Sequence, residues 1–166
     1  MTIETLFGRE NGSTKLRTVR FKQIKAVYET LTIREELAGY ILPTTRFTSP
    51  QQIFETFRFL KNETKEYFLT CHCDGKNRIV AIEVVSVGSL NQSIVHPREV
   101  YKTALLSSAA AIILLHNHPT GDPSPSSEDI AITRRLKEAG ELIGIKVLDH
   151  IIIGETYLSF VERGLL

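Results

Sequence analysis

At 166 residues the chain is long enough to bury one sizeable core and too short for two full domains. A net charge of +1, with 42% hydrophobic and 23% charged residues, is ordinary for a soluble globular protein and excludes a global basic field for nucleic acid. No run approaches the ~18 apolar residues of a membrane span, and MTIETLFGRE lacks both the basic region and the apolar core of a secretion signal. A cytoplasmic protein with no membrane contact is expected. Its only cysteines, Cys71 and Cys73, are two apart, too close for an ordinary structural disulfide and consistent with a reducing compartment.

Residues 1 to 14 are polar with Gly8, Asn11 and Gly12, and a flexible start is expected. Lys15, Arg17, Arg20, Lys22 and Lys25 follow with no acid among them. That run is either a local phosphate-contacting patch, giving weak DNA association, or a solvated face offset by Glu29, Glu35 and Glu36. Ile24, Val27, Tyr28 and Leu31 sit at helical spacing, so residues 1 to 44 read as a partly helical extension packed on the main body. PTTRFTSP at 43 to 50 marks a boundary, with Ser49 as N-cap and Pro50 opening a helix whose buried stripe is Ile53, Phe54, Phe57 and Leu60.

EYFLTCHC at 66 to 73 alternates, with Tyr67, Leu69, Cys71 and Cys73 on one face and Glu66, Phe68, Thr70 and His72 on the other. Asp74 to Asn77 turns this strand into RIVAIEVVSV, giving a hairpin. The two cysteines read as small core residues, since no further cysteine exists to complete a thiolate site. After a connection at 88 to 96, Pro97 opens a helix to about Ser108 with Val100, Ala104 and Leu105 inward. His96 has no ligand partner near it in sequence.

The stretch AAIILLHNHPTGDPSPSSED at 110 to 129 carries the chemistry. Its apolar run fits a strand buried on both faces. His116 and His118, two apart at the strand end, then point to one side and can share a cation, while Asn117 faces away. Ser124 and Pro125 read as N-cap and first residue of the next helix, which places Ser126 and Asp129 in its first turns, three apart on one face. Two imidazoles and a carboxylate leave a tetrahedral zinc ion one open position, the pattern of a catalytic site. The competing reading is two packed histidines beside an ordinary loop. The helix continues through Ile132 and Leu136, with Arg134, Arg135 and Lys137 outward, and stops at Gly140 or Gly144. Lys146 to Ile153 and Tyr157 to Val161 read as two closing strands.

From about residue 45 to 166 the chain resembles the RadC family, built on the JAB/MPN domain, in VHPREV at 95 to 100, HNHPTGDPSPSSED at 116 to 129 and LDHIIIG at 148 to 154. The metalloprotease (JAMM) signature of JAB/MPN domains is an upstream glutamate, then H-x-H, seven residues, Ser, two residues and Asp. His116, His118, Ser126 and Asp129 match it without a gap. The resemblance implies an α/β (α+β) fold, a deaminase-like, mixed curved sheet with helices on its faces, in a short form lacking the helix-hairpin-helix region of longer members. It also implies the upstream glutamate near the start of the first strand, which selects Glu66; Glu63 and Glu83 compete for the role. With zinc held by His116, His118 and Asp129, the implied activity is hydrolysis of a peptide or isopeptide bond, Glu66 acting as general base and Ser126 hydrogen-bonding the oxygen that becomes negative. Ser126 has a second reading, as a helix cap.

Two other classes compete. A non-catalytic, DNA-associated accessory protein follows from the family's link with DNA repair, supported here by Lys15 to Lys25 and by Arg134, Arg135 and Lys137. A zinc deaminase would need H-x-E with P-C-x-x-C, and a zincin H-E-x-x-H; the sequence has neither. The sequence names neither the peptide or protein substrate nor the oligomeric state; sheet edges could pair into a homo-oligomer, but no residue decides it.

Overall fold

A computed structural model of the chain describes residues 27–28, 46–88 and 95–166. The flexible start, the basic run Lys15 to Lys25 and most of the expected extension lie outside these residues. Val27 and Tyr28 are described and are largely exposed, and the Tyr28 hydroxyl donates to the Ser107 carbonyl at 3.4 Å. No helix among the described residues is long and apolar enough to cross a membrane.

The fold is a five-stranded mixed sheet between two helical layers. Helix α1 (Pro50–Phe57) starts as its sequence dictates: Ser49 is extended, its side chain accepts from the Gln52 N–H, and Pro50 occupies the first turn, where a missing N–H costs nothing. A 3-10 turn (Arg58–Asn62) carries the apolar stripe on to Leu60. Strands β1 (Glu66–Cys73) and β2 (Ile79–Gly88) form the expected antiparallel hairpin. Asp74 organises its turn by accepting from the backbone N–H groups of Lys76 and Arg78 and pairing with the Arg78 guanidinium at 2.6 Å.

Helix α2 (Pro97–Leu106) is capped by His96, whose ring accepts from the Arg98 N–H. Two expectations fail here. The helix ends at Leu106, and Leu105 is 56% exposed, whereas Tyr101 is buried. At 100° per residue the inward face centred on Val100 and Ala104 takes in Tyr101 rather than Leu105, and burial of its phenol is compensated by a hydrogen bond to the Leu136 carbonyl at 2.7 Å.

Strand β3 (Ala111–Asn117) is buried along its whole length, as a central strand must be to read as an unbroken apolar run. It runs antiparallel to β1 and parallel to β4 (Lys146–Ile153), with helix α3 (Ser127–Ile143) as the crossover, and β5 (Tyr157–Ser159) closes the order β2-β1-β3-β4-β5. The cap of α3 is Ser126, not Ser124: Ser126 and Asp129 make a reciprocal capping box, while the Ser124 N–H is taken by the Asp122 side chain in the loop before it. The helix stops at Gly144, in the left-handed region at φ 84°, with its N–H on the Gly140 carbonyl. Gly140 therefore lies inside the helix, where a Cβ would collide with the Ile145 carbonyl and the Tyr101 hydroxyl. The last strand ends at Ser159, because the Asp149 carboxylate accepts from the Ser159 hydroxyl and the Val161 N–H and draws the chain into a turn.

Alternation along the strands splits the core. Leu69, Cys71, Cys73, Ile113, Leu115, Ile151 and Ile153 pack against α1, and Phe68, Ile112 and Leu114 pack against Val100, Tyr101 and Ala104 of α2 and Ile132 and Leu136 of α3. Everything that bears on chemistry lies on the second face.

Candidate metal centre

His116 is the last residue but one of β3. It shares the inner face of Ile112 and Leu114, is fully buried, and lies across from Phe68 of β1, whose ring stacks on it at 6.0 Å between centroids. Asn117 points the other way, as alternation requires. Its side chain ties β3 to the entry of β1, accepting from the Tyr67 N–H at 2.8 Å and donating to the Lys65 carbonyl at 3.0 Å.

His118 has left the strand but not its direction. Its N–H donates to the Ile153 carbonyl at 2.8 Å, and its Nδ1 lies 2.7 Å from the Asp122 carbonyl. The loop that supplies this carbonyl is itself pinned, because the Glu155 N–H donates to the Gly121 carbonyl and Gly154 passes so close to Gly121 that no Cβ would fit. A glycine is required there by close backbone approach.

Asp129 arrives from the first turn of α3. Its Oδ1 lies 3.2 Å from His116 Nε2, its Oδ2 lies 3.5 Å from His118 Nε2, and the two Nε2 atoms are 3.0 Å apart. Ser126 steadies the carboxylate, donating to Oδ2 from both its hydroxyl at 2.7 Å and its backbone N–H at 2.8 Å. Cap and ligand support are thus one structure.

One ligand atom from each of His116, His118 and Asp129, all within 4.8 Å of one another, could hold a metal ion. Donors about 2 Å from a common tetrahedral centre lie roughly 3.3 Å from one another, close to the distance from each imidazole nitrogen to its nearer carboxylate oxygen. His118 is the partly open member, its side chain 15% exposed against 0% for His116 and 3% for Asp129, so the centre meets solvent on its side.

Charge at the centre is strongly coupled. Burial pulls the His116 ring below the ordinary imidazole range, although Asp129 opposes it. The hydrogen bond to Asp129 raises His118. For Asp129 itself burial favours the neutral acid, but the hydrogen bonds of His116, His118 and Ser126 together outweigh it and hold the carboxyl well below its usual range. An ionised carboxylate facing two imidazoles is the charge state a cation needs.

Of the three glutamates weighed from the sequence, Glu66 stands at the start of β1 on the face of Phe68, and its negative charge acts on both His116 and His118. Continuing the β1–β3 register past the Phe68 and His116 pair places it across from His118. Glu83 is opposite Thr70, and its charge acts on Lys102 of α2. Glu63 closes the 3-10 turn before β1. His96 serves as the α2 cap, and its Nε2 meets Arg135 at 3.3 Å.

Two neighbours of the centre were not singled out from the sequence. His150 of β4 is fully buried with its Nε2 2.8 Å from His116 Nδ1, and Thr133 of α3 has its hydroxyl 2.5 Å from His150 Nδ1. The spacing of Asp129 and Thr133, four apart, was a usable signal for a shared helix face. His150 carried none, because only the parallel pairing of β3 with β4 brings it alongside.

Such a sheet, with H-x-H at the end of a central strand and an aspartate on the following helix, defines a JAB-type domain. A family model for the RadC-like JAB domain matches residues 47–165, and the chain belongs to that family. It is 55% identical over 174 residues to a UPF0758 protein of Pelobacter propionicus, an alignment covering 98% of this chain and 76% of that one. It is 67% identical over 123 residues to a UPF0758 protein of Geotalea uraniireducens, covering 73% of this chain and 54% of its relative. A Methanosarcina mazei UPF0758 protein is 48% identical over 145 residues, covering 86% and 62%. The chain therefore spans from about half to three quarters of the length of these relatives.

Proposed function

We propose that this domain is a zinc-dependent hydrolase of the JAMM type, cleaving a peptide or isopeptide bond in a peptide or protein substrate. The observation that carries this reading is the convergence of two imidazole nitrogens and an ionised carboxylate within 3.5 Å, open to solvent on one side, with the Glu66 carboxylate at the same end of the same sheet face. Two nitrogens and one oxygen suit zinc better than magnesium or calcium, which favour all-oxygen sites. When bound, zinc supplies a Lewis acid that makes water nucleophilic at a pH near 7.

The chain's own residues do the rest. Glu66 accepts the proton of the attacking water and returns it to the leaving amine, a role that requires reach to the water. Ser126 holds Asp129 in the resting state. Its hydroxyl has one hydrogen, now on Asp129 Oδ2, and redirecting it to the carbonyl oxygen of the substrate supplies a contact of most value in the transition state. The DNA-associated alternative rests on Lys15 to Lys25, outside the described residues, and on α3, where Arg134 pairs with Glu138 at 3.8 Å and Lys137 is half-buried. No feature among the described residues favours it.

The test is incubation of zinc-loaded protein with a proteome-derived peptide library, new amino termini being read by mass spectrometry. Cleavage by the wild type that is lost in Glu66→Gln, with zinc content unchanged, supports the hydrolase. Cleavage that persists in Glu66→Gln removes Glu66 from the mechanism, and protein that holds zinc yet produces no new termini and binds duplex DNA in a salt-dependent way favours the accessory reading.

A further inference from the structure

We propose that His150 and Thr133 are positioning residues, a directed chain of hydrogen bonds that holds His116 in the one tautomer whose Nε2 lone pair faces the metal position. The inference rests on the metal-binding reading above and deepens it.

The direction of the chain follows from counting hydrogens. The Asp129 carbonyl oxygen carries none and lies 2.5 Å from Thr133 Oγ1, so the hydrogen between them is the threonine's own. That hydroxyl has no second hydrogen to give. His150 Nδ1, also 2.5 Å from the same oxygen, must therefore be the donor of that contact. A neutral imidazole protonated at Nδ1 has a bare Nε2. His150 Nε2 thus accepts from His116 Nδ1 across 2.8 Å, and His116 Nε2 is left as a lone pair. His118 reaches the same state independently: its Nδ1 faces the Asp122 carbonyl at 2.7 Å and must donate, so its Nε2 is bare as well. In the neutral rings these two lone pairs, 3.0 Å apart beside a carboxylate, repel one another unless a cation lies among them, either a metal ion or the added protons that let both nitrogens donate to Asp129.

The surroundings keep the chain in order. His150 is fully buried, stacked on Phe160 at 4.7 Å and set edge-on to Phe68 at 5.6 Å, so water does not offer its ring another partner. The chain also closes on itself. It begins at His116, a ligand from β3, and ends at the backbone of Asp129, a ligand from α3, so the relay that sets the tautomer of one ligand is anchored at the other. Outer partners of this kind fix ligand orientation and are typically worth 10–100-fold in metal affinity.

The test uses the full chain labelled with 15N-histidine, metal-free and zinc-loaded, with long-range proton–nitrogen correlation to assign each ring's tautomer, and zinc affinity from competition with a chromophoric chelator. The expected result is His150 protonated at Nδ1 in both states, and His116 protonated at Nδ1 with its Nε2 resonance moving on zinc addition. Thr133→Val should weaken zinc binding roughly 10–100-fold with an unchanged circular dichroism spectrum, and Thr133→Ser, which restores the hydroxyl, should recover it. His150 protonated at Nε2 in zinc-loaded wild type, or undiminished zinc affinity in Thr133→Val, overturns the positioning role while leaving the metal site intact. Wild-type protein that takes up no zinc, whatever its tautomers, contradicts the metal reading and the positioning role together. The wild-type spectra decide the matter even if Thr133→Val does not fold.

Discussion

His72 and His116 are both buried on the same face of the sheet, four residues apart across the β1–β3 pairing, yet only one belongs to a centre that can hold an ion. His72 is closed: Ser107 Oγ meets its Nδ1 at 2.8 Å and Thr70 Oγ1 its Nε2 at 3.1 Å, so both nitrogens end on neutral hydroxyls. His116 is open, one nitrogen on another histidine and the other on a second ligand and a carboxylate. Burial lowers the proton affinity of both. What separates them is convergence, not burial: donors from β3, the following loop and α3 meet at His116, whereas the neighbours of His72 leave no electron pair unclaimed.

The difference can be broken first with the metal. Zinc at about a thousand times its Kd stabilises a folded protein by roughly 4 kcal/mol, which for a chain of this size raises the thermal midpoint by about 10 °C. That rise should survive His72→Gln and vanish in Asp129→Ala, as read by differential scanning fluorimetry.

Acid sharpens the contrast from the other side. Burial lowers His72 from the ordinary 6.5 to about 4. The unfolded chain then binds a proton that the folded chain refuses, so the stability contributed by neutral His72 is present above pH 6.5 and lost as pH falls toward 4. The loss is at most about 3 kcal/mol. Chemical denaturation of metal-free protein across this range should show a shallower decline in His72→Gln than in the wild type, the other buried histidines being common to both.

Smaller effects follow at the edges of the two clusters. Ser126→Ala should cost about 1 kcal/mol through loss of the α3 cap alone, measurable by urea denaturation without zinc, and should also weaken zinc binding because Asp129 loses the hydroxyl's hydrogen bond and keeps only that of the backbone N–H. The Cys71 and Cys73 thiols flank His72 in sequence but face the opposite core. Burial raises both, Cys73 to about 12, so neither should react with a disulfide reagent in native protein at pH 8, and replacing either with alanine should leave zinc content unchanged.

How much of this was legible in the sequence depends on distance along the chain. The period of two in EYFLTCHC and the apolar run before HNH fixed which residues share a face, and so placed His116 with His118 and set Cys71 and Cys73 in the core. Caps were harder. Ser124-Pro125 has the composition of a helix start, but the reciprocal bonds of Ser126 and Asp129 outcompete it, a choice between adjacent serines that composition does not make. Hydrophobicity alone points Leu105 inward, and nothing local marks Tyr101 as buried, because the acceptor for its hydroxyl lies on another helix. His150 was beyond reach for the same reason. Its role depends on which strand lies beside β3, and nothing local in LDHIIIG states that.

The most direct test of the central claim is the metal content of untagged protein by mass spectrometry, wild type beside His118→Ala and Asp129→Ala. Convergence predicts about one zinc per chain in the wild type, lost in both variants while His72→Gln keeps it. Folded wild-type protein that is metal-free and takes up no added zinc would contradict the account, leaving His116 as closed a histidine as His72.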